Sequence, residues 1–94
     1  MYYSLEPVFD HHKSFYEKAR VEVAGDGSQH LISYATEVAW IHQNLLGNPI
    51  AEVYGIYSAT TLRHIKEFLK QNGFRADNQA QIVADYCYTR EARA

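Results

Sequence analysis

Asp10, His11 and His12 stand side by side in DHHK, and together they carry donor atoms that a divalent metal accepts. A metal needs ligands converging on one point. Adjacent histidines on a loop do not converge without partners from elsewhere, so the run predicts a solvated loop and no metal site. Cys87 is the single cysteine of the chain. A nucleophilic thiol needs its pKa lowered by a helix N-terminus or a cationic neighbour. Cys87 falls deep in a predicted helix, on its apolar face, where a thiol is a packing residue. No carboxylate pair, triad or ligand cluster has convincing spacing. The sequence therefore predicts no enzyme and no cofactor, and it identifies no small-molecule substrate.

The remaining chemistry is charge and aromaticity. In TTLRHIKEFLKQNG, Leu62, Ile65, Phe68 and Leu69 fall on one side of a helical wheel, and Arg63, Lys66, Glu67 and Lys70 fall on the other. The first set predicts packing on a sheet. The second predicts a solvated face that can also touch phosphate or an acidic partner. Arg63 and His64 beside Thr60 and Thr61 can form a small anion site at the helix start, where free N–H groups point outward. Alternatively Thr60 is a cap and His64 is rim. Tyr16, Tyr34, Tyr54 and Tyr57 all fall on predicted strands, where tyrosines stack bases, anchor protein interfaces or lie at the edge of a core. The candidate binding residues are Arg63, His64, Lys66, Lys70, Tyr57 and Tyr16.

The elements that must position these residues follow from periodicity. Ninety-four residues make one domain. Residues 1–13 read as irregular, since Pro7 fixes φ and pushes Glu6 out of helical geometry. Residues 14–57 read as sheet. Alternation begins near Phe15 and places Ala19, Val21 and Val23 on one face, and Gly25-Asp26-Gly27 ends it in a hairpin turn. HLISYATEVAWIHQ, residues 30–43, is long for one strand and divides near Ala35-Thr36 by a bulge or a turn. LGNP is a turn, and Ile50 to Tyr57 is another strand in which Gly55 marks a bulge or a close backbone approach. Helix 58–73 follows, with Ser58 or Thr60 as N-cap and Gly73 as C′ residue. A second helix, 77–91, presents Ala80, Val83, Tyr86 and Cys87 inward.

The fold class is α+β: an antiparallel β-meander of three or four strands, then two C-terminal helices packed on one face. The helix at 58–73 has the look of a DNA-reading helix in isolation. The residues before it, IAEVYGIY, have strand chemistry and supply no good first helix, which argues against a helix-turn-helix.

Net charge is −2, divided as −4 over residues 1–62 and +2 over residues 63–94. A general nucleic-acid binder is basic overall, so any anion belongs with the C-terminal third. One cysteine permits no internal disulfide, and no apolar run approaches a membrane span; the expected setting is the cytoplasm.

KSFYEKARV (Lys13 to Val21), LISYATEVAWI (Leu31 to Ile41) and YSATTLRHIKEFLKQNGF (Tyr57 to Phe74) together resemble a group of small uncharacterised proteins encoded by phages, plasmids and integrated elements. Glu17, Ala35 and Leu62 stand where that group would have glycine, a turn-forming Asn or Asp, and a small residue. The group has no established activity. The resemblance implies an accessory protein acting on host machinery or on the element's own nucleic acid. The expected role is a non-enzymatic interaction module that binds a protein partner or itself, with a nucleic-acid-associated regulator as the alternative.

Overall fold

The computed structural model describes residues 1–11 and 13–87. Five strands form one antiparallel sheet in sequence order: β1 (Tyr2–Ser4), β2 (Ala19–Val23), β3 (Gln29–Ser33), β4 (Thr36–Gln43) and β5 (Pro49–Val53). Two helices follow, α1 (Ala59–Gln71) and α2 (Gln79–Tyr86). The expected class and order stand, with one strand more than the three or four expected. The extra strand, β1, lies in the segment read as irregular. Its three residues are all exposed, so no apolar alternation marks it; it is held by pairing of Tyr3 with Val21 along the edge of β2.

Register assigns the faces. Val21, Leu31, Ala39 and Val53 are cross-strand partners and are fully buried. α1 crosses over β3 and α2 over β5. Ile65, Phe68 and Leu69 from α1 and Ile82 from α2 complete the core, none of them exposed. Each such side chain contributes about 1.5–3 kcal/mol by leaving water, which is why the apolar stripe of α1 dictates its orientation. The other row, Tyr2, Glu22, His30, Trp40 and Glu52, lies on the open face of the sheet. There Trp40 stacks on His42 with centroids 3.9 Å apart and on His30 at 5.4 Å.

Residues 30–43 contain both a turn and a bulge. Tyr34-Ala35 joins β3 to β4 with Tyr34 at φ +59°. The register then shifts between Leu31 and Ile32, which face Ala39 and Glu37, leaving Val38 as the extra residue. The hairpins at Ala24–Ser28 and Asn44–Asn48 close alike, with Gly27 and Gly47 at φ +88° and +84°.

Other boundaries move. Phe15–Lys18 is a turn closed by Lys18 N–H donating to the Phe15 carbonyl at 3.0 Å, with Tyr16 and Glu17 left-handed at φ +54° and +61°. β5 ends at Val53, and residues 54–57 are irregular because only the Tyr54 N–H continues toward β4, donating to Val38. None of Tyr16, Tyr34, Tyr54 and Tyr57 therefore lies in a strand. Gly55 marks a close approach: a Cβ there would meet the Tyr57 ring at 3.3 Å. In α2, Ile82 and Tyr86 face inward while Ala80 and Val83 are exposed. Eight residues bury only one i, i+4 pair, and the inner face expected from Ala80 and Val83 is rotated away. Cys87 is buried, and the part of the expected helix beyond it lies outside the described residues.

Candidate basic groove and adjoining cleft

α1 begins where its sequence says it should. The Ser58 hydroxyl caps it by accepting from the Thr61 N–H at 3.1 Å, so Thr60 is not the cap. Lys70 sits in the last turn, complementing the helix dipole, and Gly73 turns left-handed at φ +82°. β1 and β2 are neighbours in the sheet, and the long segment that joins them, residues 5–18, leaves the sheet to run alongside α1.

Glu67 holds that segment in place. Its carboxylate accepts from the backbone N–H groups of Val8 at 2.8 Å, Phe9 at 3.0 Å and Asp10 at 3.1 Å, and from the Gln71 amide at 2.6 Å. Gln71 also donates to the Glu6 carbonyl at 2.7 Å. Glu67 is only 2% exposed. This corrects its assignment to the solvated face. On the wheel it borders the apolar stripe, and the segment joining β1 to β2 covers it. No local pattern in the sequence announces that contact, because the partners are main-chain N–H groups nearly sixty residues away.

The segment and the helix enclose a groove of about 350 Å³ lined by Phe9, Asp10, His11, Arg63, Lys66, Glu67 and Lys70. Arg63 also borders a second, smaller cleft of about 180 Å³, lined further by Ser14, Phe15, Tyr16, Lys18, Tyr34, Thr60 and His64. Five of the six candidate residues therefore meet on one continuous surface. Tyr57 does not; its ring folds back over Gly55 and lines neither cavity. Lys18, Tyr34, Phe9 and His11 join the surface without being among the candidate binding residues. In the sequence His11 reads only as a metal donor and Tyr34 only as one of several strand tyrosines; Lys18 and Phe9 carry no signal of their own.

His64 is not rim. It is 1% exposed, packed edge-on to Phe15 at 4.7 Å between centroids, and its Nδ1 lies 2.9 Å from the Ser33 hydroxyl. Burial holds its pKa below the ordinary histidine value, with Arg63 and Lys18 pushing the same way and Asp10 opposing. Ser33 is itself 2% exposed and lines neither cavity, so the Ser33–His64 pair is a structural contact and presents no accessible nucleophile.

Among the described residues no three His, Cys, Asp or Glu side chains gather as metal ligands. Asp10 and His11 face the groove, and His12 lies outside the described residues. No described helix is long and apolar enough to cross a membrane.

A family model matches residues 3–84. The chain belongs to DUF8033, a family of unknown function. Neither the curated proteins nor the solved structures provide a match. The matched span includes the sheet, α1 and the first part of α2, hence every residue of this DUF8033 surface.

Proposed function

We propose that this chain is a non-enzymatic interaction module that holds an acidic segment of a protein partner against the outward face of α1. One observation carries the reading. Arg63, Lys66 and Lys70 share a single groove, and none of them makes a salt bridge among the described residues. The other arginines among the described residues are engaged: Arg20 with Glu22 at 3.3 Å and Arg75 with Asp77 at 2.6 Å. Phe9, 56% exposed at the groove, supplies an apolar anchor beside the three cations, the combination by which interfaces gain both affinity and register. In the mobile-element setting that the sequence resemblance implies, the partner is a host protein.

Nucleic acid is the second reading. It is favoured by Tyr16 and Tyr34, 73% and 50% exposed, beside Lys18 and Arg63, since exposed rings next to cations stack bases. The groove is short for that purpose. Arg63 to Lys70 spans about 10 Å at 1.5 Å per residue. Three cations would give a single-strand salt slope of only about −2. Fluorescence anisotropy with a labelled Glu/Phe-containing dodecapeptide and a labelled dodecathymidylate separates the two. The expected result is peptide binding that is lost on combined Lys66→Ala and Lys70→Ala, with the oligonucleotide at least tenfold weaker. The opposite order would replace the protein reading by the nucleic-acid one.

A further inference from the structure

We propose that the cleft between Tyr16, Tyr34 and the first turns of α1 is a pocket for one oxyanion, a phosphate or carboxylate carried by the partner's segment, to which His64 presents its Nε2–H. The proposal rests on the reading of α1 as the contact face and names what that face recognises at its N-terminal end.

We assign the tautomer from a row of hydroxyls. Ser58 Oγ accepts from the Thr61 N–H and donates its own proton to Thr61 Oγ1 at 3.2 Å. Thr61 Oγ1 lies 3.0 Å from Ser33 Oγ, and Ser33 Oγ lies 2.9 Å from His64 Nδ1. The direction that gives each hydroxyl proton of the row an acceptor within it runs from Ser58 to Thr61 to Ser33 to Nδ1. In that arrangement Nδ1 accepts and the ring proton sits on Nε2, an assignment that the tautomer of the free protein checks.

That Nε2–H has no hydrogen bond among the described residues. Every fully enclosed polar side-chain atom among them has a partner, so the unpaired nitrogen opens on the cleft that His64 lines. A donor on a side chain 1% exposed, aimed into a cavity, calls for an acceptor. Lys18 and Arg63 line the same cavity, and neither makes a salt bridge among the described residues. Two cations and a neutral N–H donor suit an oxyanion; a cation or an apolar group would leave the donor unanswered. The walls are aromatic. Lys18 Nζ stands 6.0 Å from the Tyr34 ring centroid, and Tyr16 lines the same cleft. Low-dielectric walls strengthen the attraction of the two cations for an anion. The left-handed backbone of Tyr16, Glu17 and Tyr34 holds these walls, an unfavourable conformation confined to this end of the molecule among the non-glycine residues described.

The test uses the full ¹⁵N-labelled chain, titrated at constant ionic strength with inorganic phosphate in one arm and acetate in the other. The free protein is expected to show His64 as the Nε2–H tautomer. Saturable shifts are expected at the His64 ring and at the amides of Lys18, Tyr34 and Arg63. Phosphate binding at least fivefold tighter than acetate identifies a phosphate pocket; equal or tighter acetate binding identifies a carboxylate pocket. Lys18→Ala and Arg63→Ala, both at exposed positions, should each weaken binding at least fivefold, and Lys66→Ala should change it less than twofold. An Nδ1–H tautomer, or shifts that never saturate and spread over all the lysines, would overturn the pocket. If the acidic peptide binds through Lys66 and Lys70 while Lys18→Ala leaves its affinity unchanged and phosphate has no effect, the groove stands and the pocket falls. If phosphate binds as described and no acidic peptide does, the pocket stands and the reading of α1 falls.

Discussion

Replacing Glu67 probes the contact that builds the groove. Its two carboxylate oxygens take three main-chain N–H groups and the Gln71 amide while the side chain is 2% exposed. In Glu67→Gln the retained oxygen can serve at best the Val8, Phe9 and Gln71 donors, and the new NH₂ then confronts the Asp10 N–H. One charge-assisted bond is lost and the others weaken to neutral ones, which together cost about 2–3 kcal/mol. Glu67→Ala strands every donor and costs about 3–5 kcal/mol. A chain of 94 residues has roughly 5–14 kcal/mol in total, so the alanine variant approaches the unfolding threshold. With a urea m-value of about 1–1.5 kcal/mol/M, Glu67→Gln should lower the midpoint by about 2 M. Hydrogen exchange at Val8, Phe9 and Asp10 should accelerate at the same time. A midpoint within about 0.3 M of the parent, with those amides still protected, would refute the clamp.

Three further outcomes are expected. Glu17 sits at φ +61° and is exposed, so Glu17→Gly should stabilise the chain by about 0.5–1 kcal/mol in urea melts, the left-handed strain relieved outweighing glycine's extra unfolded-state entropy. His64 is held neutral by burial; it binds its proton less readily folded than unfolded, so stability should fall as pH drops below about 6.5, by up to about 1.4 kcal/mol per pH unit. Arg63 and Lys18 reinforce that loss, Asp10 opposes it, and His64→Gln should flatten the slope between pH 7 and 5 in paired urea melts whatever its effect on absolute stability. Phe68 is fully buried between α1 and the sheet, and Phe68→Ala should cost about 3–5 kcal/mol by the same assay.

Local signals were legible where local chemistry decides the structure. Ser58 caps α1, Gly73 ends it, and Gly27 and Gly47 turn hairpins. The apolar stripe of α1 lies where its period places it. What the residues did not announce depends on distant partners. β1 has no buried side and exists by pairing with β2. Tyr54–Tyr57 has strand composition but does not extend β5, since composition cannot tell an extended loop from a ladder. Tyr16 and Glu17 adopt left-handed conformations that local sequence favours only at glycine, so alternation gave no warning of the turn. Five of the six candidate residues share a surface because Arg63, His64, Lys66 and Lys70 lie on one helix and the segment carrying Tyr16 runs beside it. Glu67, the residue that fastens that segment, was placed on the wrong face because no residue near it in sequence covers it.

On the function we propose, the outward face of α1 meets the partner and the open sheet face does not. Chemical-shift mapping of the ¹⁵N-labelled chain with the acidic peptide tests it most directly. Perturbations centred on Phe9, His11 and residues 63–70, with Trp40, His30 and His42 unmoved, are the expected result. Perturbations centred on Trp40 and its stacked histidines, with Arg63, Lys66 and Lys70 unmoved, would contradict it.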